Sequence, residues 1–309
     1  MLVEALHSIA GQTAVGKIDR IIVSENGGDR ASQAVCAQFP QLPITYLFRE
    51  PAVGPVEHAQ LLMKECLHGE FTAILHDDDA WLPNHLANAL AALEAYPDAS
   101  VFGANLVMLE NGVLLTGLSW DLLARFAANF AAPAPCWRLS HTNILLASLL
   151  NYIVHYSSMV ARTDALRQSA YVYDLGNPYD NDRMIIFALS RCGPVLFHPE
   201  VSVVVRVHGN RETVRFGHDE RTRHMCQTTE WMVAQGVKSW SAIAAAFAQR
   251  VTGCPDAELK IKFLRDATTR EWCLPEIARH LDRGTEKDFF AMYDRARETF
   301  AGEKPRDER

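Results

Sequence analysis

Several familiar signatures are missing from this chain, and each absence removes a class of protein. No two of the seven cysteines, at 36, 66, 136, 192, 226, 254 and 273, stand in C-x-x-C spacing, and their number is odd. Buried free thiols of a cytosolic protein fit this better than a disulfide framework or a structural zinc. No G-x-G-x-x-G opens a helix after a strand, and there is no P-loop lysine signature. A nucleotide would therefore need another means of phosphate neutralisation, such as a metal. Positive charge is in deficit, with 30 Lys+Arg against 37 Asp+Glu and a net charge of −7. That opposes a broad attraction to nucleic acid. The opening Met1-Leu2-Val3-Glu4-Ala5-Leu6 has neither a basic start nor a long apolar stretch, so no signal peptide is expected. The most apolar later run, Ile144 to Val154, contains Asn151 and is too short to span a bilayer. It reads as a buried helix; the expected location is cytoplasmic, and a peripheral membrane contact stays open.

What is present suits a globular protein. The chain has 309 residues, 49% apolar and 22% charged, enough for a large core built as one domain or two unequal ones. The first third alternates in character. Helical stretches are expected at Glu4–Ala10, Ala31–Phe39, His58–Cys66 and Pro83–Tyr96. Strands are expected at Ile18–Ser24, Ile44–Phe48, Phe71–Leu75 and Ala99–Leu106. Such alternation predicts an α/β fold, a mostly parallel sheet flanked by helices.

The densest chemical signal is His76-Asp77-Asp78-Asp79, directly after the apolar run Phe71–Leu75. Carboxylates at the carboxyl end of a strand lie where an α/β sheet keeps its ligand. Hard divalent cations take carboxylate oxygens together with substrate phosphates. The same residues also suit a solvated acidic turn before Leu82-Pro83, and the cluster alone divides the two readings evenly. After the first strand, Glu25-Asn26-Gly27-Gly28-Asp29 forms a polar turn in which glycine permits close backbone approach to a ligand. Glu25 and Asn26 are placed to hydrogen-bond a base or ribose; a plain tight turn is the alternative.

A second informative stretch runs from Tyr171 to His208. Asp182 opens an apolar helical pattern over Arg183–Arg191, where it serves either as a cap or as a base. Strands are expected at Val195–Phe197 and Val201–Val205, the second leading to Arg206 and His208 on one face. Arg206 could offset phosphate charge. His208 could ligate a metal or remain a surface residue.

Together these segments resemble the family 2 glycosyltransferases of the GT-A nucleotide-sugar fold. The resemblance covers roughly residues 1 to 210 and rests on Ile21–Asp29, Gly69–Pro83, His155–Arg162, Asn181-Asp182 and Arg206-Val207-His208. It implies transfer of a sugar from a nucleoside-diphosphate sugar to an acceptor hydroxyl, metal-dependent and inverting, with Mn²⁺ or Mg²⁺. Glu25 and Asn26 would meet the nucleoside, with Asp77, Asp78 and Arg206 also on the donor side. Asp77 and Asp79 match the ends of the D-x-D metal motif, and His208 the metal-proximal end of an R-x-H element. Asp182 matches the acceptor's base. The chain departs from the pattern at Asn181, where the family has glutamate, and at its start, where the family's Val/Ile-rich first strand has no counterpart before the first helix. An open position in the sheet, filled by another segment or by a neighbouring chain, is the expectation. A nucleotidyltransferase and a catalytically degenerate nucleotide-sugar-binding scaffold are the competing readings.

The segment Asn111 to Ala170 reads as the acceptor side. There Trp120 and Trp137 either stack on a sugar or pack in the core, and His141 and Asn143 are weaker acceptor contacts. Residues 1–214 form the expected catalytic domain and 215–309 a helical C-terminal region. That region stabilises the core, shapes acceptor access, touches a partner or forms a homo-oligomer.

Overall fold

The computed structural model describes residues 1–115, 136–141, 144, 148, 154–177, 180–209, 224, 227, 228, 231 and 232. The expected buried helix at 144–154 therefore lies mostly outside the described residues, as do Trp120 and Asn143. Ile144 and Ser148, where it is described, are helical and buried.

Helix α1 spans Leu2–Ala10 and buries Ala5, Leu6 and Ile9, which share one face of a 3.6-residue repeat. Strand β1 (Ile21–Asn26), helix α2 (Ala31–Cys36) and strand β2 (Ile44–Arg49) form a parallel βαβ unit. Helix α3 (Pro55–Cys66) starts with proline, whose missing N–H costs nothing at a helix start. Then come β3 (Phe71–Ala73), β4 (Ala80–Trp81), α4 (His85–Ala95) and the long β5 (Val101–Glu110). The remaining described elements are β6 (Val113–Leu115), β7 (Trp137–Leu139), β8 (Val160–Arg162), α5 (Thr163–Ser169), α6 (Asn181–Cys192) and β9 (Val195–Val207).

The expectation of a mostly parallel sheet needs correction. The larger sheet runs β3-β8-β5-β9-β4, with β6 on β5 and β7 on β9. Only its central β5–β9 pair is parallel; β3–β8, β5–β8, β4–β9, β5–β6 and β7–β9 are antiparallel. The added strands are two or three residues long, too short for a periodic signal. One reversal has a local cause: Asn111 and Gly112 both take positive φ, 50° and 79°, the backbone of a two-residue hairpin turn.

Strands β1 and β2 stand as a separate pair. Each of their residues is only half-buried, and the described residues supply no third strand to them.

The two strands expected at 195–197 and 201–205 are one strand. Its register against β5 jumps from Ala104–His198 to Asn105–Val201, bulging at Pro199-Glu200. Proline has no N–H for the ladder, which confines it to bulges or edges. The Asn105 side chain donates to Pro199 O at 3.0 Å and accepts from Leu106 N at 2.9 Å, closing the gap.

The sheet is buried on both faces. Val101, Val195 and Phe197 join a core with α6, while Phe102, Leu196, Val203 and Val205 join another with α1 and α4. Trp137 stacks on Phe197 at a 13° interplanar angle, so it packs beside the first core. His141 bonds Ser190 Oγ at 2.7 Å and leans on Phe187. No helix among the described residues is long and apolar enough to cross a membrane. The four described cysteines, 36, 66, 136 and 192, are free thiols. Beyond β9, residues 224, 227, 228, 231 and 232 are helical, and Met232 packs on Phe187. The 214/215 boundary and most of the expected C-terminal region lie outside the described residues.

Between α6 and β9 the chain passes tightly against the loop before β5. A Cβ on Gly193 would sit 2.3 Å from the Asp98 carbonyl oxygen and 3.1 Å from Ser100 N, both backbone atoms. Gly193→Ala is expected to destabilise the fold by about 1–3 kcal/mol through this overlap. A urea midpoint equal to that of the parent would contradict it.

Candidate functional site

The acidic turn lies between β3 and β4, and both sheet neighbours hold it. Before the turn, Ile74 N bonds Met159 O at 3.3 Å and His76 N bonds Ser157 Oγ at 3.2 Å. After it, Trp81 pairs with Val203 on β9, its amide donates to Ser8 Oγ at 3.1 Å, and its indole donates to Ser157 O. This anchoring turns Asp79 inward, wholly buried, while Asp78 is half-buried and Asp77 faces solvent.

Asp79 Oδ2 accepts from Ser157 Oγ, and Oδ1 accepts from the Arg206 amide at 3.0 Å. Burial pushes its carboxyl above the ordinary range, opposed by the Ser157 bond and the His76 charge and reinforced by Asp78. His76 Nδ1 and His155 Nδ1 stand 3.8 and 3.9 Å from Asp79 Oδ2. The three residues offer ligand atoms within 4.8 Å of one another, a cluster able to coordinate a divalent cation. His208 Nε2 lies 3.1 Å from Asp78 Oδ2. The Arg206 guanidinium reaches Glu4 on α1 at 2.7 Å.

The structure thus gathers Asp78, Asp79, Arg206 and His208 at one place, with Asp77 on its rim. Sequence reasoning passed over His76, His155, Ser157 and Glu4 as partners there. His76 adjoins the carboxylates and His155–Ser157 lay in a segment already singled out, but nothing local signals that the two meet.

At the end of β1, Glu25 accepts from Tyr46 OH at 2.8 Å and from Ser32 N at 3.1 Å, tying the turn to β2 and α2. These bonds and that of the Arg30 amide outweigh desolvation and lower the Glu25 pKa. The Asn26 amide donates to Val53 O at 2.9 Å and accepts from Val53 N at 3.0 Å. Both side chains brace the turn; Gly27, at φ 76°, is closed by Ala52 and by its bond to Arg49 O, and the exposed backbone is that of Gly28, at φ 95°.

Asp182 lies in the first turn of α6, one residue inside the helix start. Its carboxyl is raised to about 7 by burial first and then by the Asp180 charge; the Arg183 amide and guanidinium pull the other way. Asp180 is engaged by Arg183 at 2.6 Å. The Asp182 charge also raises the hydroxyl pKa values of Tyr156 and Tyr173, which lie 2.7 Å from each other. The Tyr156 ring centroid lies 5.8 Å from that of His76. Tyr156 thus packs beside His76 of the acidic turn and bonds Tyr173, within the field of Asp182.

The model of Glycosyl transferase family 2 matches residues 1–145. The chain has a GT-A-like glycosyltransferase fold related to the family 2 sugar transferases. A relative from Haemophilus influenzae, described as an uncharacterized glycosyltransferase, is 23% identical over 158 residues. That alignment takes in 50% of this chain and 46% of the relative, so the chain spans about half the length of the curated relative it matches. Among solved structures, S. aureus TarS 1–349 in complex with UDP-GlcNAc superposes with a TM-score of 0.57 at 12% identity, covering 99% of this chain and 90% of that one. GalNAc-T7 with UDP, GalNAc and Mn²⁺ has a TM-score of 0.50 at 13% identity, covering 91% and 56% respectively. At these identities the likeness is one of fold.

Proposed function

We propose that this protein transfers a sugar from a nucleoside-diphosphate sugar to an acceptor hydroxyl, with inversion at the anomeric carbon. The observation that carries this reading is the convergence of the buried Asp79 of the acidic turn with the β9 end that bears Arg206 and His208. The TarS structure is a complex with UDP-GlcNAc and that of GalNAc-T7 one with UDP, GalNAc and Mn²⁺, so UDP-sugars are the first donors to test here.

In this reading the turn held by Glu25 and Asn26 takes the nucleoside against the exposed Gly28 backbone. Arg206 sets positive charge beside the diphosphate, with His208 next to it and Asp77 and Asp78 toward the ribose. The chemistry of the donor set, one buried carboxylate with imidazoles beside it, fits a divalent cation; Asp79 would hold it. When bound, it would neutralise the charge that develops on the leaving diphosphate. Asp182 accepts the acceptor's proton while that oxygen attacks opposite the diphosphate, which requires the hydroxyl within about 2.6–3.2 Å, directly or through one water. A carboxyl with a pKa of about 7 is matched to that exchange near neutrality. Residues 1–214 carry this chemistry, and 215–309 form a C-terminal region accessory to it.

A donor-and-acceptor screen read by mass spectrometry tests the proposal. The expected product gains a sugar mass, with release of nucleoside diphosphate. A nucleotide increment with pyrophosphate release would assign a nucleotidyltransferase instead. Ligand binding without any product would assign a scaffold.

A further inference from the structure

We propose that Asn177 is a positioning residue for Asp182, and that the C-terminal helical segment bearing residues 224–232 is the other half of its hold. Asn177 touches no reacting atom; it acts through Asp180, at the entry to α6. The part given to Asp182 in catalysis rests on the glycosyl-transfer reading; the hold itself does not.

The hold is specific in its chemistry. Asn177 is buried, and its side chain bonds in two directions. Nδ2 donates to His224 O at 3.0 Å and to Thr228 Oγ1 at 2.9 Å, 47 and 51 positions further along the chain. Oδ1 accepts from Asp180 N at 3.3 Å. A carbonyl oxygen only accepts and a backbone amide only donates, so these partners fix which way the side-chain amide lies. A carboxylate in its place would have no donor for His224 O, and an apolar side chain would have neither group.

The helical segment is seated by more than this one side chain. Residues 224, 227, 228, 231 and 232 are helical and have the spacing of a single helix face. Thr228 and Met232 on that face are buried. Met232 packs on Phe187 of α6. The Trp231 ring lies 5.5 Å from that of Phe187 and 6.3 Å from that of Tyr171. One face therefore meets the turn Ala170–Leu175 at Tyr171, the entry to α6 at Asn177, and the middle of α6 at Phe187. Gln60 of α3 fixes the same turn independently, donating to Tyr173 O at 3.2 Å and Asp174 Oδ1 at 2.8 Å.

Asp180 carries the effect to Asp182. Its carbonyl accepts from Met184 N at 3.1 Å, the bond that opens α6, and its carboxylate pairs with Arg183 at 2.6 Å. The groups that act on or respond to the Asp182 carboxyl are Asp180, Arg183, Tyr156 and Tyr173. Releasing Asp180 N from Asn177 admits water and frees the Asp180 charge, whereas Arg183, next to Asp182 in α6, stays in place. Lost burial and a lost like charge both lower a carboxyl pKa. A base whose support has loosened also loses rate through misplacement.

The test uses the full chain with its aspartate carboxyl carbons labelled with ¹³C, titrated by NMR, the Asp182 resonance being assigned through Asp182→Asn. Asn177→Ala is expected to move the Asp182 titration down by about one unit, and Thr228→Val to move it the same way by less. Thr228→Ser, which keeps the hydroxyl, should titrate as the parent does. In transfer assays Asn177→Ala should lose about 10–100-fold in kcat with the donor KM unchanged, and its rate inflection should follow the NMR value. Asp182 titrating at the parent's value in both Asn177→Ala and Thr228→Val, each shown folded by circular dichroism, would overturn the inference. So would a rise in donor KM as large as the fall in kcat, the mark of general loosening. A shift in Asn177→Ala with none in Thr228→Val would remove the part given to the helical segment. If Asn177→Ala does not fold, the Thr228 pair, which differs by one buried hydroxyl, decides. A parent that transfers no sugar while the titrations shift as expected would reject glycosyl transfer and leave the hold standing.

Discussion

Asp182→Asn is expected to reduce sugar transfer by about 10²–10⁴-fold, the usual contribution of a positioned general base, with donor affinity unchanged. The pH profile supplies a second reading. A base must be unprotonated, so with a pKa of about 7 the parent's rate should rise with pH through that value and level off above it. The residual activity of the variant should lose this inflection. Stability should respond in the opposite sense. The folded carboxyl holds its proton up to about 7, against 3.8 for an unperturbed aspartate. Between those values the folded state binds more protons than the unfolded one, so the contribution of this group to stability falls as pH rises. Asp182→Asn removes that loss, and its melting temperature should exceed the parent's at pH 8, with the gap shrinking toward pH 4. Normal transfer by the variant would reject Asp182 as the base. A lower melting temperature at pH 8 would show that the carboxylate is structurally paired there.

The largest stability effect is expected at Arg183. Its side chain is wholly buried, pairs with Asp180 at 2.6 Å and donates to Ser148 O at 3.1 Å. Arg183→Met would leave the Asp180 carboxylate buried without its cation, at a cost of about 3–5 kcal/mol. The double variant Arg183→Met with Asp180→Asn should recover much of that loss, because the uncompensated charge is then gone. Urea unfolding of the parent, both single variants and the double gives the coupling directly. A loss of only about 1 kcal/mol in Arg183→Met, the scale of an exposed pair, would contradict the buried-pair account. The pair also sets the charge beside Asp182, since Asp180 raises that carboxyl and Arg183 lowers it. The single variant should therefore shift the rate inflection to higher pH.

Much of this was legible locally. The alternation from Leu2 to Leu106 returned the order of the first helices and strands, with boundaries displaced by a few residues. The carboxylates after Phe71–Leu75 marked the turn at the candidate site, and Asp182 fell in the first turn of its helix as its spacing suggested. Other features were misread for identifiable reasons. The pattern around Val195–Val205 looked broken because Pro199 interrupts it, yet Asn105 bridges the bulge from the neighbouring strand and β9 continues. Asn111 was read only as the start of the acceptor side, although Asn111 and Gly112, two residues of positive φ in sequence, form a hairpin turn and reverse the chain.

By itself the sequence determined what depends on near neighbours: helix and strand periodicity, glycine and proline turns, and the placing of acidic residues at a strand end. Tertiary structure decided the antiparallel pairings, because strands of two or three residues carry no period and are selected by the partners they reach. It also decided which carboxylate is buried. Asp77, Asp78 and Asp79 are chemically alike in sequence, and only packing against Ser157, 78 positions away, and against the Arg206 amide, 127 positions away, turns Asp79 inward. The same long-range packing sets His155 beside His76 and His208 beside Asp78, since a folded sheet joins side chains that no local spacing relates.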